Sequence, residues 1–180
     1  MKQIILFSVT LFALSCNDSG TTTKDAMADS STAAALTTDT KMNYPYTIDK
    51  PDNWDIGPTA NTMTALNGLK AWEEGRIDES LQYFADSVTV NFDGISMKMS
   101  NDSLRTFFNT GYNNNKNVKI KMSDWESVIS KDKSQEWVTL WYTQYNDTKE
   151  GTRDSIDILN DLQLKNGKIV RIDEYTRKLH

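Results

Sequence analysis

The stretch that decides the fold runs from residue 65 to residue 94 and reads ALNGLKAWEEGRIDESLQYFADSVTVNFDG. Apolar side chains at helical spacing begin just before it and predict an amphipathic helix over 59–74. They form one stripe of Met63, Leu66, Leu69 and Trp72. Gly75 follows at the place where a residue in the left-handed conformation ends a helix, so we expect the helix to stop there.

The second half of this stretch predicts a short helix followed by a strand. The helix is expected over 78–85, with Leu81 and Phe84 on one side. From Val88 to Phe92 apolar and polar residues alternate, which indicates a strand with one buried face. Asp93-Gly94 is a turn dipeptide, and residues 95–99 are its hairpin partner.

The remainder predicts one more helix and then strands alone. Ser100 is the expected N-cap of a third helix, which ends at the Asn run 113–115. Residues 118–129, 136–145, 153–164 and 168–177 are four strands joined by short polar turns, and such an arrangement is typical of an antiparallel meander.

This order of elements resembles the NTF2-like superfamily, in particular its SnoaL-like and ketosteroid-isomerase-like branches. The segments 83–86 (YFAD) and 166–169 (NGKI) also resemble pieces of it. The resemblance implies an α+β cone, in which N-terminal helices pack in a strongly curved antiparallel sheet that ends in a four-strand meander. It also implies one pocket, enclosed by the concave face of that sheet.

Three polar residues are the candidates for a site in such a pocket. Asn160 interrupts an apolar row on the third meander strand, and Glu174 interrupts one on the fourth. Asp93 lies near the expected mouth, where the first strand ends. Polar groups on a buried face cost about 1–3 kcal/mol unless they are partnered. The alternatives are structural: Asn160 satisfies a backbone group at a bulge, Glu174 lies at an open rim, and Asp93 serves the turn.

The resemblance gives little support for a specific reaction. By comparison with ketosteroid isomerases, the catalytic base falls at Asn91 or Phe92, and neither accepts a proton. The donor tyrosine falls at about Gly68, whereas the donor acid falls at Asn160, which can still donate a hydrogen bond. The dehydratase branch needs a buried histidine, but His180 is the last residue.

We therefore expect a non-catalytic pocket for a small apolar ligand or a partner protein. The alternative is a lyase, isomerase or hydrolase that uses Asn160 as oxyanion donor and Glu174 or Asp93 as base. No cofactor is expected. No metal site of His and Cys ligands is expected, because the chain has 1 His and 1 Cys. The net charge of −5 and the lack of a basic aromatic patch argue against nucleic-acid binding.

Residues 1–16 predict a lipoprotein signal peptide. Lys2 is followed by an apolar run too short to span a bilayer and then by Ser15-Cys16. We expect a lipid on Cys16, a tether rich in Thr, Ser, Ala and Asp over 17–53, and a domain over 54–180. The implied location is the bacterial cell envelope, at the outer membrane or facing the periplasm. The alternative is an ordinary signal peptide with an incidental cysteine.

The second meander strand is apolar on both faces. Trp137, Trp141 and Tyr145 share one face, and Val138, Leu140 and Tyr142 share the other. A strand of this kind is expected to be covered on both sides. The outer face is predicted either to pair two copies in a homodimer or to be covered by the segment 44–54.

Overall fold

Seven strands and three helices make up residues 44–179, the part of the chain that this computed structural model describes. In chain order they are β1 (Trp54–Ile56), α1 (Thr59–Glu73), α2 (Ile77–Leu81), β2 (Phe84–Phe92), β3 (Ile95–Ser100), α3 (Asn101–Asn113), β4 (Asn115–Ser130), β5 (Glu136–Thr148), β6 (Arg153–Lys165) and β7 (Lys168–Lys178). The predicted signal peptide, its Cys16 and the tether up to residue 43 lie outside the described residues.

The strands form one curved sheet in the order β1-β4-β5-β6-β7-β2-β3. Consecutive strands from β4 to β7 pair antiparallel, which confirms the predicted four-strand meander. β7 pairs parallel to β2, and β2 pairs antiparallel to β3 at the edge of the sheet. The predicted α+β architecture, with helices packed against a curved sheet, is confirmed.

Two helix ends follow from local chemistry as expected. Gly75 has a φ of 73°, and an added Cβ there would meet the Tyr112 ring at 2.8 Å. Glycine therefore meets two requirements at this corner, the left-handed conformation and the close approach of α3. At the start of α3, the Ser100 hydroxyl accepts a hydrogen bond of 3.3 Å from the backbone N–H of Ser103.

Two expectations for the helices were wrong. The second helix ends at Leu81 rather than at residue 85, and Phe84 already belongs to β2, where it pairs with Ile169 of β7. Pairing with β7 takes Phe84 out of the helix, because its side chain is buried there and the Ile169 N–H donates a 2.9 Å hydrogen bond to the Tyr83 carbonyl. In the predicted stripe of α1, Leu66, Leu69 and Trp72 pack against the core, but Met63 is 49% exposed.

Small residues replace Met63 on the buried side of α1. Ala65 is 1% exposed and Ala71 is not exposed at all. An added Cβ at Gly68 would lie 3.4 Å from the Cβ of Tyr83, and the Ser80 hydroxyl donates a 2.8 Å hydrogen bond to the Gly68 carbonyl. The helix thus approaches α2 closely, and this approach sets its rotation.

The main core lies between the helices and the inner face of the sheet. It combines fully buried aliphatic residues of the strands with Leu104 of α3, which has no exposed surface. The inner-face contributors from the strands include Val88, Val90, Val138, Leu140, Leu162 and Ile172. Around this core α1 and α3 leave a space over the middle of β5, β6 and β7, and the candidate site occupies it.

The outer face of the sheet is partly covered by the segment before β1. The Lys50 ammonium lies 3.8 Å from the centre of the Trp137 ring and 3.6 Å from Asp161. Trp141 is half-buried, whereas Tyr175 is 62% exposed. The segment therefore covers one end of this face, and the predicted pairing of two copies through the other end stays a prediction.

Candidate functional site

A cavity of about 300 Å³ lies between α1, α3 and the inner face of the meander. Its walls are mainly apolar and aromatic, with polar side chains confined to the meander strands and one serine of α2. The lining comprises Ala65, Gly68, Leu69, Trp72, Ser80, Phe84, Phe92, Phe107, Phe108, Gly111, Leu140, Tyr142, Gln144, Asn146, Ile156, Ile158, Asn160, Leu162, Ile169, Ile172 and Glu174. A concave apolar space with a few polar groups is typical of a small-molecule site.

Strand register brings three of these polar residues together. Asn160 on β6 is the direct partner of Glu174 on β7, and on its other side it is paired with Leu140 of β5. Tyr142 lies two residues beyond Leu140 and therefore on the same face, diagonal to Asn160. Residues on three adjacent strands thus form one group, called here the polar cluster: Tyr142, Asn160 and Glu174.

Asn160 holds the centre of this cluster. It is 7% exposed, and its Nδ2 donates a hydrogen bond of 2.8 Å to the hydroxyl of Tyr142. Its Oδ1 is buried without a hydrogen-bond partner among the described residues. An unsatisfied buried acceptor carries a desolvation cost, and buried polar groups usually avoid it. The amide therefore offers an acceptor beside the cavity that the protein itself leaves unused.

Glu174 is the ionisable group of the cavity. Burial is the main cause that raises its pKa to about 7, the negative charge of Asp93 raises it further, and hydrogen bonding to Asn160 acts in the opposite direction. Burial also raises the pKa of Tyr142 well above its usual range, helped by the charge of Glu174 and opposed by the hydrogen bond with Asn160. Tyr142 is therefore a neutral hydroxyl at every physiological pH.

Asp93, the third predicted site residue, lies outside this cavity. It is exposed in the turn between β2 and β3 and accepts a hydrogen bond of 3.0 Å from the Thr176 hydroxyl. Its negative charge nevertheless acts on Glu174, which is two residues before Thr176 on β7. The structure thus brings Asn160 and Glu174 together in one cavity and leaves Asp93 at its margin.

Sequence reasoning missed the polar residues of β5. Tyr142, Gln144 and Asn146 continue the inward row of Leu140, and the Gln144 Nε2 donates a 3.0 Å hydrogen bond to the Asn146 Oδ1. The alternation of β5 contained the signal, because residues two apart share a face. Tyr142 was counted as an apolar residue of that row, and its hydroxyl was not considered.

Aromatic rings of α3 form the wall of the cavity that faces the sheet. Phe107 stacks on Phe92 of β2 with ring centres 5.1 Å apart, and Phe108 meets Phe84 edge-to-face at 5.4 Å. Contacts of this geometry add about 0.5–1.5 kcal/mol beyond the burial of the rings. They hold α3 against β2, and all four rings line the cavity.

Neither metal ligation nor a membrane span is indicated within residues 44–179. No three His, Cys, Asp or Glu residues of this part are grouped so that they could hold a metal ion. Among the described helices, none combines the length and the apolar character needed to cross a membrane.

Comparison with known proteins identifies the fold. No protein-family model and no curated protein sequence matches this chain. Among solved structures, an NTF2-like protein of unknown function from Exiguobacterium sp. 255-15 superposes with a TM-score of 0.53 at 18% identity, over 63% of this chain and 98% of that one. The chain has the NTF2-like fold.

Two further solved structures that this chain resembles come from a fungus and from another bacterium. AusH from Aspergillus nidulans matches with a TM-score of 0.55 at 18% identity, over 68% of this chain and 87% of its own. Rv0760c from Mycobacterium tuberculosis, solved in complex with estradiol-17β-hemisuccinate, matches with a TM-score of 0.53 at 13% identity, over 64% and 92%. Identities this low establish the NTF2-like fold and leave the function to be argued from the cavity.

Proposed function

We propose that this NTF2-like domain binds a small, largely apolar ligand in its cavity, with the ligand's polar end at the polar cluster. The observation that carries the proposal is the juxtaposition of an open, aromatic-walled space with Tyr142, Asn160 and Glu174 at one side. The walls supply affinity through apolar burial, about 25 cal/mol per Å² removed from water. The cluster supplies orientation, because each of its members has hydrogen-bonding capacity to spare.

The size of the cavity supports this proposal. An engineered apolar cavity of about 150 Å³ in another protein binds benzene. The cavity here is about 300 Å³, which is room for a ligand larger than one aromatic ring. The complex of Rv0760c with a steroid derivative supports the proposal by analogy, since it shows an apolar ligand bound to a protein of the same fold.

A second candidate function is acid–base catalysis, and one observation favours it. A pKa of about 7 places Glu174 in the range where a carboxylate serves as a general base at neutral pH. Tyr142 and the Asn160 amide would then donate hydrogen bonds to a developing oxyanion. This is the predicted lyase, isomerase or hydrolase with Glu174 as its base, because Asp93 lies outside the cavity. A ligand recovered unchanged favours binding, whereas a chemically altered one favours catalysis.

We also propose that the domain works at a membrane of the bacterial cell envelope. The support is the sequence around Cys16, in which a charged start, a short apolar run and a small residue precede the cysteine. A single acyl chain on Cys16 would bind a membrane only reversibly, because stable anchoring takes two lipid signals. Mass spectrometry of the protein from its host tests this: a lipid-sized mass on Cys16 supports it, and an unmodified or absent Cys16 contradicts it.

Native mass spectrometry of the purified protein is the experiment for the pocket. We expect a retained small molecule that is lost on replacing Gly111 by Phe, because Gly111 lines the cavity and an added Cβ there meets no atom within 4 Å. Thr110→Phe is the matched control, since Thr110 is exposed on the same helix and does not line the cavity. Equal retention by both variants would contradict binding in this cavity.

A further inference from the structure

The lining of the cavity has a carboxylate and no positive charge. Glu174 is the one charged side chain among the described lining residues, which include no Lys, Arg or His. None of the ion pairs among residues 44–179 involves Glu174. A buried carboxylate without a counter-charge is costly when ionised. The cavity therefore lacks a cation at its polar end.

An acceptor at the same end has no donor among the described residues. The Asn160 Nδ2 already donates to Tyr142, whereas the Asn160 Oδ1 receives no hydrogen bond. Glu174 when ionised accepts and does not donate. The unfilled Oδ1 of Asn160 and the Glu174 carboxylate are direct neighbours across the β6–β7 pair. A ligand that completes this end must bring a donor for the Asn160 Oδ1 and a positive charge for Glu174.

Aromatic walls suit the remaining part of such a ligand. Trp72, Phe92, Phe107 and Phe108 contribute rings to the lining. The face of an aromatic ring attracts a cation by about 0.5–2 kcal/mol, most strongly where water is excluded. The walls therefore bind an apolar skeleton and tolerate a positive charge better than an aliphatic wall does.

We infer that the ligand of this cavity carries a protonated amine on an apolar skeleton, and that the ammonium pairs with Glu174 and donates to Asn160. The inference rests on the proposed binding function and names the class of its ligand. An ammonium supplies the missing positive charge and several N–H donors at once. An alcohol of the same shape supplies one donor and no charge, so it leaves part of the cluster unsatisfied.

Three probes of one shape test this inference by calorimetry: 1-naphthylmethylamine, 1-naphthalenemethanol and 1-methylnaphthalene. At pH 8 we expect the purified chain to bind the amine at least tenfold more tightly than the alcohol. Glu174→Gln is expected to bring the affinities for the amine and the alcohol within about twofold, because the variant has no negative charge to pair with the ammonium. Retained binding of 1-methylnaphthalene, which has no polar group to contact the cluster, shows that the variant is folded.

Lowering the pH to 5.5 provides a second readout. The groups that face Glu174 are Tyr142 from β5, Asn160 from β6 and Asp93 from the turn after β2, and none of them carries a positive charge. Protonation of Glu174 should therefore reduce the preference for the amine, while binding of 1-methylnaphthalene stays constant. Asp93→Asn is the matched control, because it removes a neighbouring charge outside the cavity and should keep the preference.

The outcomes separate this inference from the proposed function. Equal binding of amine and alcohol by the unchanged protein, or an amine preference that survives Glu174→Gln, overturns the amine assignment and leaves an apolar pocket in place. Failure of all three probes to bind contradicts the pocket itself, and with it the amine. A tenfold preference that disappears with Glu174→Gln supports both.

Discussion

Asp173 and Glu174 are consecutive acids on β7, yet their surroundings are opposite. Asp173 points to the outer face of the sheet, where it accepts hydrogen bonds from the Arg171 Nε at 2.8 Å and from the Asn91 Nδ2 at 2.5 Å. Glu174 points into the cavity, where burial raises its pKa to about 7 and no cation faces it. Successive side chains of a strand point to opposite faces. These two neighbours therefore differ, since the Asp173 carboxylate has hydrogen-bond donors beside it and the Glu174 carboxylate has no cation beside it.

The same contrast holds along the rest of the meander. On the outer face, Asp157 accepts from the Thr143 hydroxyl at 2.8 Å and from Arg177 at 2.5 Å, and Asp161 accepts from the Thr139 hydroxyl at 3.0 Å. On the inner face, Asn160 keeps an acceptor without a partner. These outer-face acids of the meander find their partners within the fold. The inner group is left incomplete, and this is the physical reason to assign it to a ligand.

We expect the largest difference in stability between the two faces when a leucine on each face is truncated to alanine. Leu140 is completely buried on the inner face, and Leu159 is half-buried on the outer face. We expect Leu140→Ala to lower the free energy of unfolding by about 2–5 kcal/mol, as buried leucine truncations do, and Leu159→Ala to cost less than half of that. Urea unfolding measures both. Equal losses would mean that the outer face is as well covered as the inner one.

Glu174→Gln should stabilise the protein, and by an amount that depends on pH. Because the pKa is raised from 4.5 to about 7, the folded state holds a proton that the unfolded state releases, so stability falls as pH rises through this window. We expect the variant to unfold like the original at pH 4 and to be more stable by up to about 3 kcal/mol at pH 8. Denaturant midpoints at both pH values test this, and a gain independent of pH would contradict it.

Asp173→Asn should destabilise the protein, whereas Glu174→Gln at the next position should stabilise it. Asp173 is 7% exposed, and the substitution removes the charge that Arg171 and Asn91 bind. Weakening hydrogen bonds between charged groups is expected to cost about 1–3 kcal/mol. The same unfolding experiment at pH 8 measures it, with Glu174→Gln as the comparison. A stabilising Asp173→Asn would show that the two acids do not differ in the way described above.

The smallest effect is expected at the exposed end of the outer face. Arg177 pairs with Asp157 at 2.5 Å but is 76% exposed, and exposed pairs contribute little. Arg177 lowers the pKa of Asp157, so whatever stability the pair gives is lost as pH falls through that pKa. We expect Arg177→Ala to leave the thermal unfolding midpoint nearly unchanged at pH 7, and any difference to vanish in 1 M salt. A large, salt-independent loss would contradict this.

The order of elements could be read from local signals. Alternation in the meander, the left-handed Gly75 and the capping Ser100 each depend on a few adjacent residues, and the structure contains all three. Residues 84–85 were misassigned to a helix because their strand partner, Ile169, is far away in the sequence. The exposure of Met63 in α1 was missed for the same reason, since Tyr83 and Ser80 set the rotation of the helix through contacts with Gly68.

By itself, the sequence determined which residues share a face of each strand, and so placed Asn160 and Glu174 on apolar rows. Tertiary structure decided the rest: the register that puts Asn160 beside Glu174, the hydrogen bond to Tyr142 from 18 residues away, and the position of Asp93 outside the cavity. Periodicity is a property of one strand. Burial, pairing and pKa are properties of what lies opposite, and they arise when distant strands meet.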